Sequence, residues 1–379
     1  MKIGIINNLY KPYERGGAET VIETIKLGLE KKGHQVFVIS SYPSFFAFKQ
    51  IKIISKNYFL PSAYYFLNRM PWLLRFLWHF FKLFDPINLF KTRKILKKEE
   101  PDLILTHNLT AFSGFTSLLI KCLKIKQAHY LHDTQLLHPK GRITLGQEKL
   151  IGSSLAKMWQ NLKKQQLKNI KYIISPSNWL LQKHLDKGFF PQAQTLVLLN
   201  PVIGEKLKRE KFSLYTFVYL GSIDQDKGVP FLLTTFNNLS LKAQLIVIGK
   251  GPLLKNLQAK YKDTAEISFL SNLSHKEAME TISQCHCLIS PSFIYENSPT
   301  VILEGLLAGL DIITSDIGGG PEIIKKFWGK QFKPGDRNSL SKKLLECLEG
   351  EKQKKNKEEL KILSPSVYIE KISEFLEIS

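Results

Sequence analysis

Glu296 and Glu304 stand eight positions apart within Ser290 to Gly309, SPSFIYENSPTVILEGLLAG. On one unbroken helix they would be roughly 80° apart around the axis. Pro299 changes this, because proline favours the first helical turn and the residue before it favours extended backbone. Glu296 is therefore placed at the mouth of a helix and Glu304 about a turn and a half inside it. Between them, the backbone N–H groups near Ser298, Thr300 and Val301 lack intrahelical partners and form a ready anion seat. Two carboxylates flanking such a seat suit a sugar nucleotide, with hydroxyls at both ends and a diphosphate between. Taken alone, the same residues also describe a plain strand–loop–helix with two solvent-facing carboxylates.

The elements needed to position this stretch recur along the chain. Cys287-Leu288-Ile289 reads as a buried strand leading into it. At the amino end, Lys2 to Asn8 is a strand, and Gly16-Gly17 opens a helix from about Ala18 to Lys31. The strand Gln35 to Ser40 completes a βαβ unit. Loops at the carboxyl ends of such strands are where ligands sit, and paired glycines let a phosphate approach the backbone. Strands over 102–106 and 127–131 end at His107-Asn108 and His132-Asp133, and His132, at a strand's carboxyl end next to an acid, is placed for chemistry. After Asn200-Pro201 and the charged 205–211 stretch the rhythm restarts. Phe217 to Leu220 leads to Gly221 through Gly228, and Gln244 to Ile248 to Gly249-Lys250-Gly251-Pro252. Asp311 to Thr314 leads to Gly318-Gly319-Gly320-Pro321-Glu322. The reading is an α/β protein of two domains joined once and forming a cleft.

Charge narrows the partners. The chain of 379 residues carries 54 Lys+Arg against 33 Asp+Glu, a net +21, which calls for an acidic partner: nucleic acid, anionic membrane or phosphorylated substrate. Four scattered cysteines make no disulfide framework, and the first residues lack the features of a signal peptide, so the expectation is a cytoplasmic protein. Residues 42–98 break the α/β rhythm with an aromatic-rich run from Tyr58 to Phe90. At helical spacing Arg75, His79 and Lys82 share one stripe and apolar residues cover the rest. The longest uncharged run here, Asn57 to Asn68, has 12 residues, short of the roughly 20 that span a bilayer. An interfacial helix fits better, with Trp72, Phe76, Trp78, Phe80, Phe81, Arg75 and Lys82 at an anionic membrane. The other reading is an apolar subdomain packed on the core. Nucleic acid is not expected, because the aromatics are not interleaved with cations as a stacking platform requires.

In their order and spacing, Gly16-Gly17-Ala18-Glu19, His132-Asp133, Asn200-Pro201-Val202, Gly221 to Gly228, Gly249 to Pro252, Glu296 to Glu304 and Gly318 to Glu322 resemble the GT-B glycosyltransferases, in particular the retaining family 4 group. The resemblance covers nearly the whole chain. It implies two Rossmann-like doubly wound parallel-sheet domains facing a central cleft: residues 1–200 on the acceptor side with the insertion 42–98, and residues 201–364 for the nucleotide sugar. A last helix over 365–379 would return to the first domain. It further implies transfer of a sugar from a nucleotide-sugar donor, with retention and without cofactor or metal. The acceptor would be a lipid-linked or surface-polysaccharide glycan at the inner face of a membrane. By matching positions, Glu296 would hold the sugar hydroxyls, Glu304 the ribose, and His132 would lie near donor sugar and acceptor. Lys227 with the amides of Gly16, Gly17 and the helix after Ser298, from Pro299 through Thr300 and Val301, would hold the diphosphate, and Ser222 and Gly249 complete the donor set. One position departs: the family usually carries Arg where Ser222 stands. That leaves either a variant diphosphate site, with Arg15 or Lys250 as substitute cation, or a catalytically weak or inactive scaffold.

Overall fold

The computed structural model describes the chain apart from Arg15, Ala47, 203–209, 351–354, Lys357 and Ser379, and apart from the side chains of Asn68, Trp72 and Phe76. It divides into two units. Unit 1 comprises Met1–Gly141, Lys149–Pro201 and Pro365–Ser379; unit 2 comprises Arg142–Glu148 and Val202–Ser364. The charged stretch read as a boundary lies largely outside the described residues.

Unit 1 is built on β1 (Lys2–Ile6), whose Ile3, Ile5 and Ile6 are fully buried, as in parallel strands covered on both faces. After α1 (Gly17–Lys31) come β2 (Gln35–Pro43), β3 (Lys52–Ile54) and β4 (Asn57–Ser62). There follow α2 (Trp72–Leu83), α3 (Pro86–Glu99), β5 (Leu103–Thr106), α4 (Thr116–Cys122) and β6 (Lys126–Tyr130). The set ends with α5 (Ser154–Leu167), β7 (Tyr172–Ser175), α6 (Asn178–Leu185) and β8 (Gln194–Val197). The strand order is β3-β4-β2-β1-β5-β6-β7-β8, parallel except for the β3–β4 pair. Direction of travel reverses between β1 and β5, so the loops after these two strands flank the switch point where α/β sheets place ligands.

The 42–98 segment corrects the single helical plot of Tyr58 to Phe90. Its uncharged run is β4, paired in parallel with β2, followed by a 3-10 stretch over Ala63–Arg69. Helix begins only past Pro71, and Asp85 then caps α3, accepting from the Asn88 N–H with Pro86 in the first turn. The orientation of α2 is also unlike a surface helix. Lys82 is buried, its ammonium 2.5 Å from Asp85, and His79 is buried with its ring edge-on to Trp159. Lys82 is thus a structural ion pair rather than a surface cation. Arg75 is exposed and donates to the Met70 carbonyl. Trp78 is half-buried, 6.3 Å from Tyr64, whereas Phe80 and Phe81 are exposed. The side chains of Trp72 and Phe76 lie outside the described residues.

Unit 2 runs β9 (Thr216–Leu220), α7 (Val229–Asn237), β10 (Gln244–Ile248), α8 (Leu254–Lys260), β11 (Ile267–Leu270) and α9 (His275–Gln284). It continues through β12 (Cys287–Ser290), α10 (Thr300–Leu307), β13 (Asp311–Ser315), α11 (Gly320–Lys326), β14 (Lys330–Phe332) and α12 (Arg337–Leu348). All strands are parallel in the order β11-β10-β9-β12-β13-β14. Here the direction reverses between β9 and β12, which brings the loops after them, 221–228 and 291–299, side by side. The last helix, α13 (Pro365–Phe375), buries Tyr368, Ile369 and Ile372 in the unit 1 core with α1. Cys285 and His286, just before β12, are tied to the backbone, the thiol to the Thr281 carbonyl and the imidazole to the Thr216 N–H.

Candidate functional site

The unit 2 switch point brings together residues 69 positions apart. Lys227, just before α7, reaches Glu296 across the reversal, with the ammonium 2.5 Å from the carboxylate. The Ser292 hydroxyl donates to the same oxygen at 3.1 Å. Glu296 is held by its backbone as well: its carbonyl accepts from the Gly319 N–H at 2.7 Å. Gly318 has φ +72°, and a side chain there would sit 2.4 Å from that carbonyl, so the triple-glycine turn is needed for this approach. Lys227 is set by the loop behind it. Asp224 accepts from the Lys227 N–H and from the Ser222 hydroxyl, both at 2.8 Å. Ser222 is therefore a brace within the loop. Gly249 has φ +149° and packs on this loop, where a side chain would meet the Gly221 carbonyl at 1.8 Å. Its neighbour Lys250 is exposed and accepts the Ile223 N–H through its carbonyl at 2.8 Å, beside Ser222.

The mouth of α10 faces the same loops. Pro299 caps it without any side-chain hydrogen bond, leaving the amides of Thr300 and Val301 in the first turn. The Ser298 hydroxyl is buried and, among the described residues, has no partner. An unpaired buried hydroxyl is costly, and one at a helix N-terminus is satisfied by an anionic ligand. Glu304, deeper in α10, bonds the imidazole of His275 at 3.0 Å, and this bond raises the histidine pKa. His275 escaped the sequence reading because it opens another helix 29 positions away.

An arm from the first half of the sequence completes this region. Thr144 bridges Ile294, Leu145 donates to Phe293, and the Ile143 carbonyl accepts from Tyr295. Arg142 pairs with Asp226 at 2.5 Å, and the Tyr295 hydroxyl donates to Glu148 at 2.7 Å. These contacts bracket Lys227 and Glu296 and place residues 142–148 in unit 2, not in the domain to which sequence division assigns them.

The unit 1 switch point is chemically different. His132, past the end of β6, lies 2.7 Å from the Nδ1 of His107 through its Nε2 and stacks with Tyr130 and His107. Burial lowers the His132 pKa to about 3 and depresses His107 too, so the pair is uncharged at neutral pH and shares one proton between facing nitrogens. Asp133 is raised to about 6 by burial, although the Gln135 N–H donates to it. These residues line a pocket with Thr110, Ser113 and Lys163, whose ammonium burial lowers to about 8. At the start of α1, the amide of Gly16 donates to the Glu19 carboxylate at 2.9 Å, so a phosphate there must displace a carboxylate. Gly17 opens on space: nothing lies within 4 Å of where a side chain would begin. Arg15 lies outside the described residues. In this unit the sequence reading assigns Glu19 no role beyond its place in the glycine motif and His107 none beyond a strand end. The visible signal for His107 was its place at a strand end in register beside His132's strand.

Comparison with known proteins agrees with this architecture. Residues 15–203 match the family profile described as Glycosyltransferase Family 4, and residues 205–361 that of Glycosyl transferases group 1. An uncharacterized 42.6 kDa protein in the cps region of Klebsiella pneumoniae is 27% identical over 342 residues, covering 86% of this chain and 88% of that protein. The O-antigen biosynthesis glycosyltransferase WbnH of Escherichia coli is 24% identical over 316 residues, covering 82% and 81%. Among solved structures, Anabaena HepE in complex with UDP superposes with a TM-score of 0.69 at 15% identity, each chain covered in full (100%).

Proposed function

From the premise that the chain is a glycosyltransferase of the GT-B fold, we propose that it moves a sugar from a nucleoside-diphosphate sugar to a lipid-linked or surface-polysaccharide acceptor at the inner face of a membrane, with retention at the anomeric carbon and without a metal. The observation that carries the donor part is the unit 2 switch point: a lysine and a glutamate meet beside an uncapped helix mouth holding a buried, unpartnered serine hydroxyl. As the bond from the anomeric carbon to the phosphate oxygen breaks, negative charge grows on the departing diphosphate. Preorganised donors stabilise that charge best. Lys227, Ser298 and the amides of Thr300 and Val301 are assigned to it. Glu296, positioned by Ser292 and Gly319, takes the sugar hydroxyls, and Glu304 takes the ribose. Support for a nucleotide donor also comes from HepE, which was solved with UDP, and for a surface-polysaccharide acceptor from WbnH. Gly16 and Gly17 are carried forward as diphosphate contacts and His132 as the residue near the transferred sugar.

Ser222 supports a second reading, that of a weak or inactive scaffold, because its hydroxyl is committed to Asp224 and supplies no charge. Lys250 argues against it, standing next to that gap on a backbone pinned to Ile223. Thermal-shift measurements with UDP, GDP, ADP and their sugars test both readings. Stabilisation by one nucleotide and its sugar, lost in Lys227→Ala, is the expected result. No stabilisation by any of them would remove the donor assignment, and binding without turnover would select the scaffold.

A further inference from the structure

α2 wears its apolar face outward. Leu73, Leu77, Phe80 and Phe84 recur at four, three and four positions and so share one stripe, joined on its flank by Leu74 and Phe81. All six are exposed, Phe81 to 68% and Phe84 to 57%. The opposite stripe holds His79 and Lys82, each only 9% exposed. A surface helix of a water-soluble protein has the reverse arrangement. The apolar stripe extends beyond its own helix: Phe84 lies 5.9 Å from Phe115, itself exposed, and Leu118 is exposed on α4 one turn further. An exposed apolar surface of this extent marks an interaction site.

The surrounding charge identifies the partner. The insertion 42–98 contains 11 Lys and Arg and one acidic residue, Asp85, which pairs with the buried Lys82, and Glu99 and Glu100 follow it. On α3, directly after α2, Arg93, Lys94, Lys97 and Lys98 are exposed. An apolar stripe on a segment with an excess of exposed cations complements an anionic lipid surface, with hydrocarbon under the stripe and headgroups for the cations. A second copy of the chain would bring the same cations against each other. At 12 residues α2 is about 18 Å long, and no described helix is long and apolar enough to cross a bilayer. We propose that α2 lies flat in the headgroup layer of an anionic phospholipid membrane, inserting Leu73, Leu74, Leu77, Phe80, Phe81 and Phe84, with Phe115 and Leu118 beside them. This deepens the membrane part of the proposed function and rests on it for purpose, but the docking itself needs neither donor nor acceptor.

The test uses the full chain with phosphatidylcholine vesicles, with and without phosphatidylglycerol, at low and high salt. Flotation with the anionic vesicles at low salt is expected, weakened by salt. The triple variant Leu74→Ser, Leu77→Ser, Phe84→Ser should lower partitioning at least roughly tenfold with only a small fall in melting temperature, since these side chains are partly exposed already. Absence of flotation at low salt, or equal flotation of the variant, overturns the proposal. So does a wild-type dimer that the variant dissolves, with no vesicle binding, which would assign the face to a second copy. Thermal shift with nucleotide sugars on the same samples separates the two claims. A donor response without flotation removes the docking face and leaves the transferase reading. Flotation without a donor response does the opposite.

Discussion

The two sheets of this protein reverse direction at equivalent places yet put opposite chemistry there. Unit 2 sets an ammonium against a carboxylate beside an open helix mouth, in side chains that water still reaches. Unit 1 stacks His107, His132 and Tyr130 into rings held uncharged by burial. Shared topology supplies the two carboxyl-edge crevices. What lies in each is decided by the residues just past the strand ends. A lysine beside a helix mouth suits a diphosphate, whereas the unit 1 crevice sets neutral rings beside Asp133 and Lys163, whose burial-shifted pKa values of about 6 and about 8 lie on either side of neutrality.

The sharpest way to break this comparison is to remove charge from unit 2. Lys227→Ala and Glu304→Ala should each lower kcat/KM by about a hundredfold or more, on the order of 3 kcal/mol of transition-state stabilisation. Both are measured as sugar transfer by protein whose melting temperature is little changed. Lys227→Ala also strands the Glu296 carboxylate, so the double variant with Glu296→Gln should lose less than the sum of the two. Full activity in Glu304→Ala would count heavily against the ribose assignment. In unit 1, His132→Ala should lower kcat by roughly tenfold to a hundredfold and leave nucleotide affinity unchanged.

Acid should separate the units next. His129 and His184 are buried in unit 1, with pKa values lowered to about 3 and about 4 by desolvation. The unfolded chain takes up protons near pH 6.5 while the folded one does not, so stability falls as pH drops from about 6.5 towards 4. Each lowers stability by about 2 kcal/mol at pH 5 relative to neutral pH. In unit 2 the sign is reversed at His275, whose raised pKa gives a contribution present at low pH and lost as pH rises through the folded value. Hydrogen exchange at pH 7 and pH 5 should show β1, β5 and β6 losing protection before β9 and β12. Equal loss in both sheets would erase the distinction.

How much of this was written in the sequence differs between the two crevices. The strands of both sheets, the loop glycines and the α10 entrance were legible, because buried parallel strands read as apolar runs and Pro299 marks a helix start. The Lys227–Glu296 pair was not, since nothing local says that residues 69 positions apart meet. Only the strand order does that. The neutral ring stack was half-visible: His132 was singled out while His107, at the end of the adjacent strand, was not. For α2 the two faces were legible but not which one turns inward. That depended on Asp85 and Trp159 receiving Lys82 and His79, contacts made after the helix has ended.

A smaller effect probes how unit 2 replaces the charge missing at Ser222. Lys250→Ala should weaken nucleotide-diphosphate binding by about threefold to tenfold, near 1 kcal/mol for one exposed cation on a phosphate. The loss should shrink at high salt. Titration calorimetry would read it. An unchanged affinity would mean that unit 2 holds the diphosphate with Lys227 and helix amides alone, and the contrast with unit 1 would narrow to one side chain.

The smallest effect concerns the arm 142–148, which follows the β6 crevice in sequence but belongs to unit 2. Arg142 and Asp226 are both substantially exposed, and such pairs contribute roughly 0–1 kcal/mol because water screens them. Arg142→Ala should therefore lower the stability of the protein by no more than about 0.5 kcal/mol in urea unfolding. The backbone contacts of Leu145 to Phe293 and of Tyr295 to Ile143 do not depend on that side chain, so the loops carrying Lys227 and Glu296 stay braced. Transfer should fall less than about twofold for the same reason. A drop comparable to that of Lys227→Ala would show that the arm sets the charge pair through Asp226, one residue before Lys227. The unit 2 crevice would then owe its geometry to a segment embedded in the sequence of the other unit.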